Sequence, residues 1–220
     1  AAFLSNDYAA SDVLWLGLDS DVHVTIGPYE VYMDELFGQK ATFESFVGIR
    51  DKSATAQLEV FQGCLKELEE HLPCDEKYKA PDEVKPAAIS VVDLLYAQGD
   101  VAGPLTLAFC LPNDEAVRRD HGTALIMLQN VSEAKFRAIM IPMGQACFGE
   151  ALLEHVTFQA FYTHTLCHEC CHAIGPHDLK LPSLGGGGGG GGEGPEPASE
   201  TVTVRSVMQD LHSSLEEAKA

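Results

Sequence analysis

The sequence predicts an α+β fold in which helix predominates. Three observations carry this. Apolar residues recur at three- and four-residue steps in three separate stretches, two short apolar segments lack that period, and Gly or Pro punctuates most of the boundaries. With 220 residues, 45% of them apolar and 21% charged, the chain suits one large domain or parts of two.

The first periodic stretch runs from Ala41 to Leu72. Phe43, Phe46 and Val47, then Leu58, Phe61, Leu65, Leu68 and Leu72, predict one long or two consecutive amphipathic helices, broken at Asp51-Lys52-Ser53 and stopped at Pro73. Pro86 to Gly99 repeats the pattern, with Pro86 at a helix start, Ile89, Val92, Leu95 and Tyr96 on one side and Gly99 at the exit. Leu105 to Leu111 and Thr123 to Leu128 are short, apolar and flanked by Gly, Pro or Asn, which predicts buried strands or extended segments. Phe158 to Ile174 predicts a helix ended by Gly175-Pro176. Eight consecutive glycines, Gly185 to Gly192, predict a flexible insertion over 183–200, because glycine gives up the most backbone entropy on ordering and buries no side chain. A phosphate-cradling loop needs glycines at fixed positions after a strand and usually a Lys or Ser/Thr at the helix start, and none of these is present. Val204, Val207, Met208, Leu211, Leu215 and Ala218 return to helical spacing.

Composition narrows the function classes. Asp and Glu number 33 against 14 Lys and Arg, a formal charge of −19, and that sign argues against a nucleic-acid partner, whose binding is driven by basic side chains displacing counterions. The apolar segments Leu105–Pro112 and Ala124–Leu128 fall well short of the roughly 20 residues a membrane span needs. The first residues lack a basic, then apolar, secretory leader, and both ends read as internal cuts. The seven cysteines are odd in number and irregularly spaced, which disfavours a disulfide framework and fits a reducing, cytoplasmic setting.

The chemistry lies in His168-Glu169-Cys170-Cys171-His172. Two imidazoles four positions apart on a helix lie one turn apart on one face, where both reach a single Zn²⁺ at about 2.0–2.1 Å. Glu169 projects beside the metal, placed to take a proton from a hydrolytic water and deliver it to a leaving amine. His164 continues the four-residue spacing but lies about 12 Å from His172 along the axis, so it reads as an outer-layer or packing residue. Cys167 and Cys170 have no second Cys pair to complete a zinc knuckle, and with Cys171 they read as small buried apolar groups. A peptidase zinc keeps three protein ligands and an open position. The third ligand is sought in Glu216-Glu217, on a helix whose Leu211, Leu215 and Ala218 give it a side to dock, and spacing does not choose between the two.

His168-Glu-Cys-Cys-His-Ala-Ile-Gly-Pro-His177, with Leu211-His-Ser-Ser-Leu-Glu-Glu-Ala-Lys-Ala220, resembles the dipeptidyl peptidase III family of zinc metallopeptidases. The likeness is greatest to its bacterial and plant/algal branch, in which a peptidase region can follow a Nudix hydrolase domain. It continues upstream through Leu111-Pro-Asn-Asp-Glu115, Ser5-Asn-Asp-Tyr8 and Thr25 to Asp34. The resemblance implies a helical zinc lobe facing a mixed α/β lobe across a cleft, with residues 1–35 part of the substrate-binding lobe and 36–220 mainly the zinc-peptidase region, truncated at its C-terminus. It implies one Zn²⁺ per chain held by His168, His172 and Glu217, with Glu169 as catalytic base. Glu30, Tyr32 and Asn113 would meet the free amino end of a short peptide, from which dipeptides are released.

Some features depart from the family pattern. Cys110 stands where the first asparagine of an Asn-x-x-Asn pair is usual, which implies a weaker or differently selective amino-end clamp. The histidines keep regular four-residue spacing, as this branch does, where the family often inserts one more residue. A downstream histidine that supports the transition state falls beyond Ala220. The alternative function is therefore a non-catalytic peptide-binding or interaction remnant with an incomplete metal site. No Nudix-type Gly…Arg-Glu…Glu-x-x-Glu helix occurs in these residues.

Overall fold

The computed structural model describes residues 1–30, 41–79, 88–99, 105–176, 178–182 and 199–220. The elements before the main sheet closes are α1 (Tyr8–Leu16), β1 (Val22–Glu30), β2 (Thr42–Arg50), α2 (Lys52–Glu70), β3 (Ala88–Gly99), β4 (Ala108–Leu111), α3 (Glu115–His121) and β5 (Ala124–Leu128). Then come α4 (Gln129–Lys135), a π-helical stretch (Phe136–Met140), α5 (Ile141–Cys147), α6 (Glu150–Leu153) and α7 (Phe158–Cys171). A small hairpin, β6 (Asp178–Pro182) and β7 (Ser199–Thr203), leads to α8 (Val204–Met208) and α9 (His212–Lys219).

Five strands form one sheet in the order β1-β2-β3-β5-β4. β1, β2 and β3 are an antiparallel meander, β3 and β5 run parallel, and β4 returns antiparallel to β5. β5 is buried along its whole length, as a strand covered on both faces must be. Leu65 of α2 and Tyr162, Leu166 and Cys170 of α7 close over one face, against Ile89, Val91, Leu125 and Met127. The opposite face carries Phe46, Val92, Phe109, Ile126 and Leu128, covered by Trp15 of α1 and Val131 of α4.

The α+β expectation holds, and the predominance of helix is met only in part, because two stretches expected as helices are strands. Thr42–Arg50 forms β2, and the break expected at Asp51 is where strand becomes helix: the Asp51 carboxylate accepts from Ser53 N and Ala54 N at 2.9 Å and caps α2. Residues 88–99 form β3. The three- and four-residue spacing of its apolar residues is incidental, since Leu95 and Tyr96 are exposed while Ile89, Ser90, Val91 and Val92 are buried in succession. β-Branched residues packed from both sides favour the extended chain over a helix, where their side chains crowd the preceding turn.

Both short apolar segments are strands as expected, as β4 and β5. The C-terminal helical stretch is divided at Gln209, whose φ is +50°. Pro86, Tyr32, His177, the boundary at residue 35 and the glycine run lie outside the described residues. Among the described residues no helix is long and apolar enough to cross a membrane.

Candidate metal centre

α7 starts where the Thr157 hydroxyl accepts from Ala160 N at 3.2 Å. Tyr162, Leu166 and Cys170, each four residues on, face the sheet. His168 and His172 each sit two positions beyond a core residue, turned roughly 200° around the axis, and so project away from the core. Their rings meet edge to face with centroids 4.9 Å apart. The helix closes through a tightened last turn and Gly175, whose φ of +89° suits a residue with no Cβ. His164 is exposed, which corrects its reading as a packing residue. Of the three neighbouring cysteines only Cys170 is buried; Cys171 is half-buried and Cys167 exposed, since each of these two is turned about 100° around the axis from the buried row of Tyr162, Leu166 and Cys170. Burial, reinforced by neighbouring thiols, pushes the Cys170 thiol up to about 12, so it behaves as an apolar group.

α9 brings its two adjacent glutamates to these rings in different ways. Glu217 Oε2 lies 3.4 Å from His168 Nε2, and its Oε1 lies 4.0 Å from His172 Nε2. Glu216 Oε1 lies 3.0 Å from His172 Nδ1, the other side of the same ring. The carboxylate can only accept there, so Nδ1 is the donor, which in the neutral ring leaves the lone pair on Nε2. Burial pushes the Glu216 carboxyl upward, but the hydrogen bond from His172 and the Lys219 ammonium outweigh it and bring it down to about 2. Glu216 is therefore a fixed anion.

One ligand atom each from His168, His172 and Glu217 falls within 4.8 Å of the others. Donors at about 2.0–2.2 Å from a tetrahedral ion lie roughly 3.3–3.6 Å apart, so small side-chain rotations would close this set around a single cation. Two imidazoles and one carboxylate suit zinc and leave one coordination position for water or substrate.

Glu169 is half-buried beside His168 and has a partner of its own. Asn113, just after β4, donates from Nδ2 to the Tyr29 carbonyl at 3.1 Å and so ties the β4 exit to β1. Glu30 is the last residue of β1, its backbone paired with Thr42 beyond an irregularity in the ladder. Cys110 does not share the surroundings of Asn113: it packs with the α2–α7 core, and burial raises its thiol pKa, with the Glu169 charge adding to the rise.

Sequence reasoning missed two residues that hold this arrangement. Arg118 of α3 donates from Nη2 to the His172 carbonyl at 3.1 Å, and buried Glu69 of α2 accepts from Gly175 N at 2.6 Å. A glutamate on the face of α2 that carries Leu65 and Leu72 was the available signal for the second.

The sequence profile of peptidase family M49 matches residues 5–175. The chain belongs to this family. Nudix hydrolase 3 of Arabidopsis thaliana is 50% identical over 219 residues, spanning 100% of this chain and 26% of that protein. Among solved structures, dipeptidyl-peptidase III from Corallococcus sp. strain EGB superposes with a TM-score of 0.84 at 41% identity, covering 99% of this chain and 38% of its own. DPP III from Caldithrix abyssi gives a TM-score of 0.78 at 39% identity, covering 98% of this chain and 38% of its own. The chain thus spans about a quarter to two-fifths of the length of the relatives it matches.

Proposed function

We propose that this chain supplies the zinc-binding part of an M49 exopeptidase that releases dipeptides from the free N-termini of short peptides. The observation that carries the proposal is the convergence of His168, His172 and Glu217, from two helices far apart in sequence, on one cation-sized position. The two dipeptidyl-peptidase III structures, at 41% and 39% identity, support the substrate class.

In this reading His168, His172 and Glu217 hold Zn²⁺, and Glu216 keeps the His172 ring in the tautomer that presents Nε2. A bound zinc supplies Lewis-acid polarisation of a peptide carbonyl and lowers the pKa of a water molecule. Glu169 takes the proton of the attacking water and passes it to the departing amine. Glu30, Tyr32 and Asn113 read the peptide's ammonium end, whose charge calls for carboxylate and amide oxygens as it is desolvated. Residues 1–35 then contribute to a substrate-binding lobe and the rest mainly to the zinc region.

Zinc stoichiometry and hydrolysis of a dipeptidyl-naphthylamide by the full natural chain test the reading. One zinc per chain is expected, with affinity falling more than about a hundredfold in Glu217→Ala. Turnover should fall on the order of 10²–10⁴-fold in Glu169→Gln with zinc retained. Sub-stoichiometric zinc in the parent chain, or undiminished turnover in Glu169→Gln, would refute it.

A further inference from the structure

The exit turn of α7 is gripped from two sides. Beneath it, fully buried Glu69 accepts from Gly175 N at 2.6 Å. Above it, Lys219 donates from Nζ to the Ile174 carbonyl at 2.8 Å, and the same ammonium lies 2.8 Å from Glu216 Oε1. The lysine stem crosses directly over Gly175, where a Cβ would meet its Cδ at 3.4 Å. The cation thus joins the last turn of the helix bearing both histidines to the carboxylate that fixes the His172 ring.

That junction matters because α9 has little else to set its position. It is eight residues long, has no side-chain N-cap and no buried residue. A helix of this length does not hold its own conformation in water. Its register against α7 must come from tertiary contacts, and a one-residue slip would turn Glu217 about 100° away from the histidines.

We infer that Lys219 is a positioning residue of the metal centre, a strut that locks α9 against the α7 exit turn so that Glu216 and Glu217 meet their imidazoles in register. It touches neither substrate nor metal. The ammonium satisfies a helix-terminal carbonyl and a half-buried carboxylate together, which an apolar side chain of the same length cannot do. This inference rests on the zinc-peptidase reading above, and its test separates the two.

Zinc affinity of the full natural chain is measured by competition with a chromophoric chelator, and the Co²⁺-substituted protein is examined by visible absorption. The variants are Lys219→Met, which keeps the stem and loses the charge, and Lys219→Arg, which keeps a donor able to span both acceptors. Thermal stability of each metal-free protein is followed alongside. The expected result is at least tenfold weaker zinc binding and an altered Co²⁺ band in Lys219→Met, near-parent behaviour in Lys219→Arg, and metal-free stability close to the parent in both. Parent-like zinc affinity and Co²⁺ spectrum in Lys219→Met would overturn the strut and leave the zinc reading standing. A parallel fall of metal-free stability and affinity in both variants would overturn it in favour of a packing role. A parent chain that binds no zinc would overturn both.

Discussion

Glu216 and Glu217 are neighbours on one short helix, and the backbone turns them to different nitrogens of the same pair of rings. The difference predicts different losses. Glu216→Gln keeps the shape and an acceptor oxygen but removes the charge beside Nδ1–H, so zinc affinity should fall about 10–100-fold, less than for Glu217→Ala, as chelator competition would measure. A second residue-scale prediction concerns His23. Burial, aided by the nearby Arg50 guanidinium, holds its imidazole down at about 4, and its ring meets the chain's single tryptophan, Trp15, edge to face at 5.7 Å. The unfolded chain takes up this proton near 6.5 and the folded chain only near 4. The resulting stability is complete above pH 6.5, and it drains away as the pH falls towards 4. Because an imidazolium quenches a neighbouring indole, Trp15 emission should drop with a midpoint near pH 4, and the step should vanish in His23→Phe. A midpoint near 6.5 would show that the ring is solvated.

Among the elements, α7 carries both the site and much of the packing, which makes the two separable. Leu166 is 1% exposed against the sheet, whereas the histidines lie on the other side of the helix. Leu166→Ala should cost about 2–5 kcal/mol in denaturant unfolding, with zinc stoichiometry unchanged in the molecules that remain folded. Gly48, at the bulge where β2 shifts register on β3, has no room for a methyl: a Cβ would run into Val92 and approach the Asp93 carbonyl at 2.7 Å. Gly48→Ala should therefore lower the unfolding free energy, read from denaturant melts, by roughly 1–3 kcal/mol, a cost typical of overpacking. α7 was legible in the sequence because its Gly175-Pro176 stop and the four-residue spacing of His168 and His172 point to the same helix. β2 and β3 were not. Phe43, Phe46 and Val47, like Ile89, Val92 and Tyr96, fall at helical steps, and only the partner strands decide the outcome through pairing that no local window contains. For the site, spacing identified His168 and His172 but left Glu216 and Glu217 open, because which of two adjacent side chains faces a distant ring depends on how α9 docks. Arg118 and Lys219 stayed hidden for the same reason, since each acts on a backbone atom brought close by the fold.

Across the whole molecule, the centre ties together parts of the chain that lie far apart in sequence. His172 and Glu216 are 44 positions apart, and the segment between them includes eight consecutive glycines whose ordering would cost entropy without burying side chains. A cation held by His168, His172 and Glu217 would close that loop, and binding to the folded chain alone adds RT ln(1 + [L]/Kd) to its stability. Zinc at a hundred times its dissociation constant should therefore stabilise the chain by about 2.7 kcal/mol, seen as a melting temperature that rises with zinc and falls with a chelator. The effect should be unequal. Leu166 and Cys170 anchor α7 in the core with or without metal, while α9 buries no residue and relies on its polar contacts with the rings and the exit turn. Chelation should accordingly raise amide hydrogen exchange across 212–219 far more than across 158–171, and Glu217→Ala should exchange like the chelated parent even with zinc present. Equal loosening of both helices would mean that the metal supports the core as a whole, and unchanged exchange in both would mean that α9 is seated without it.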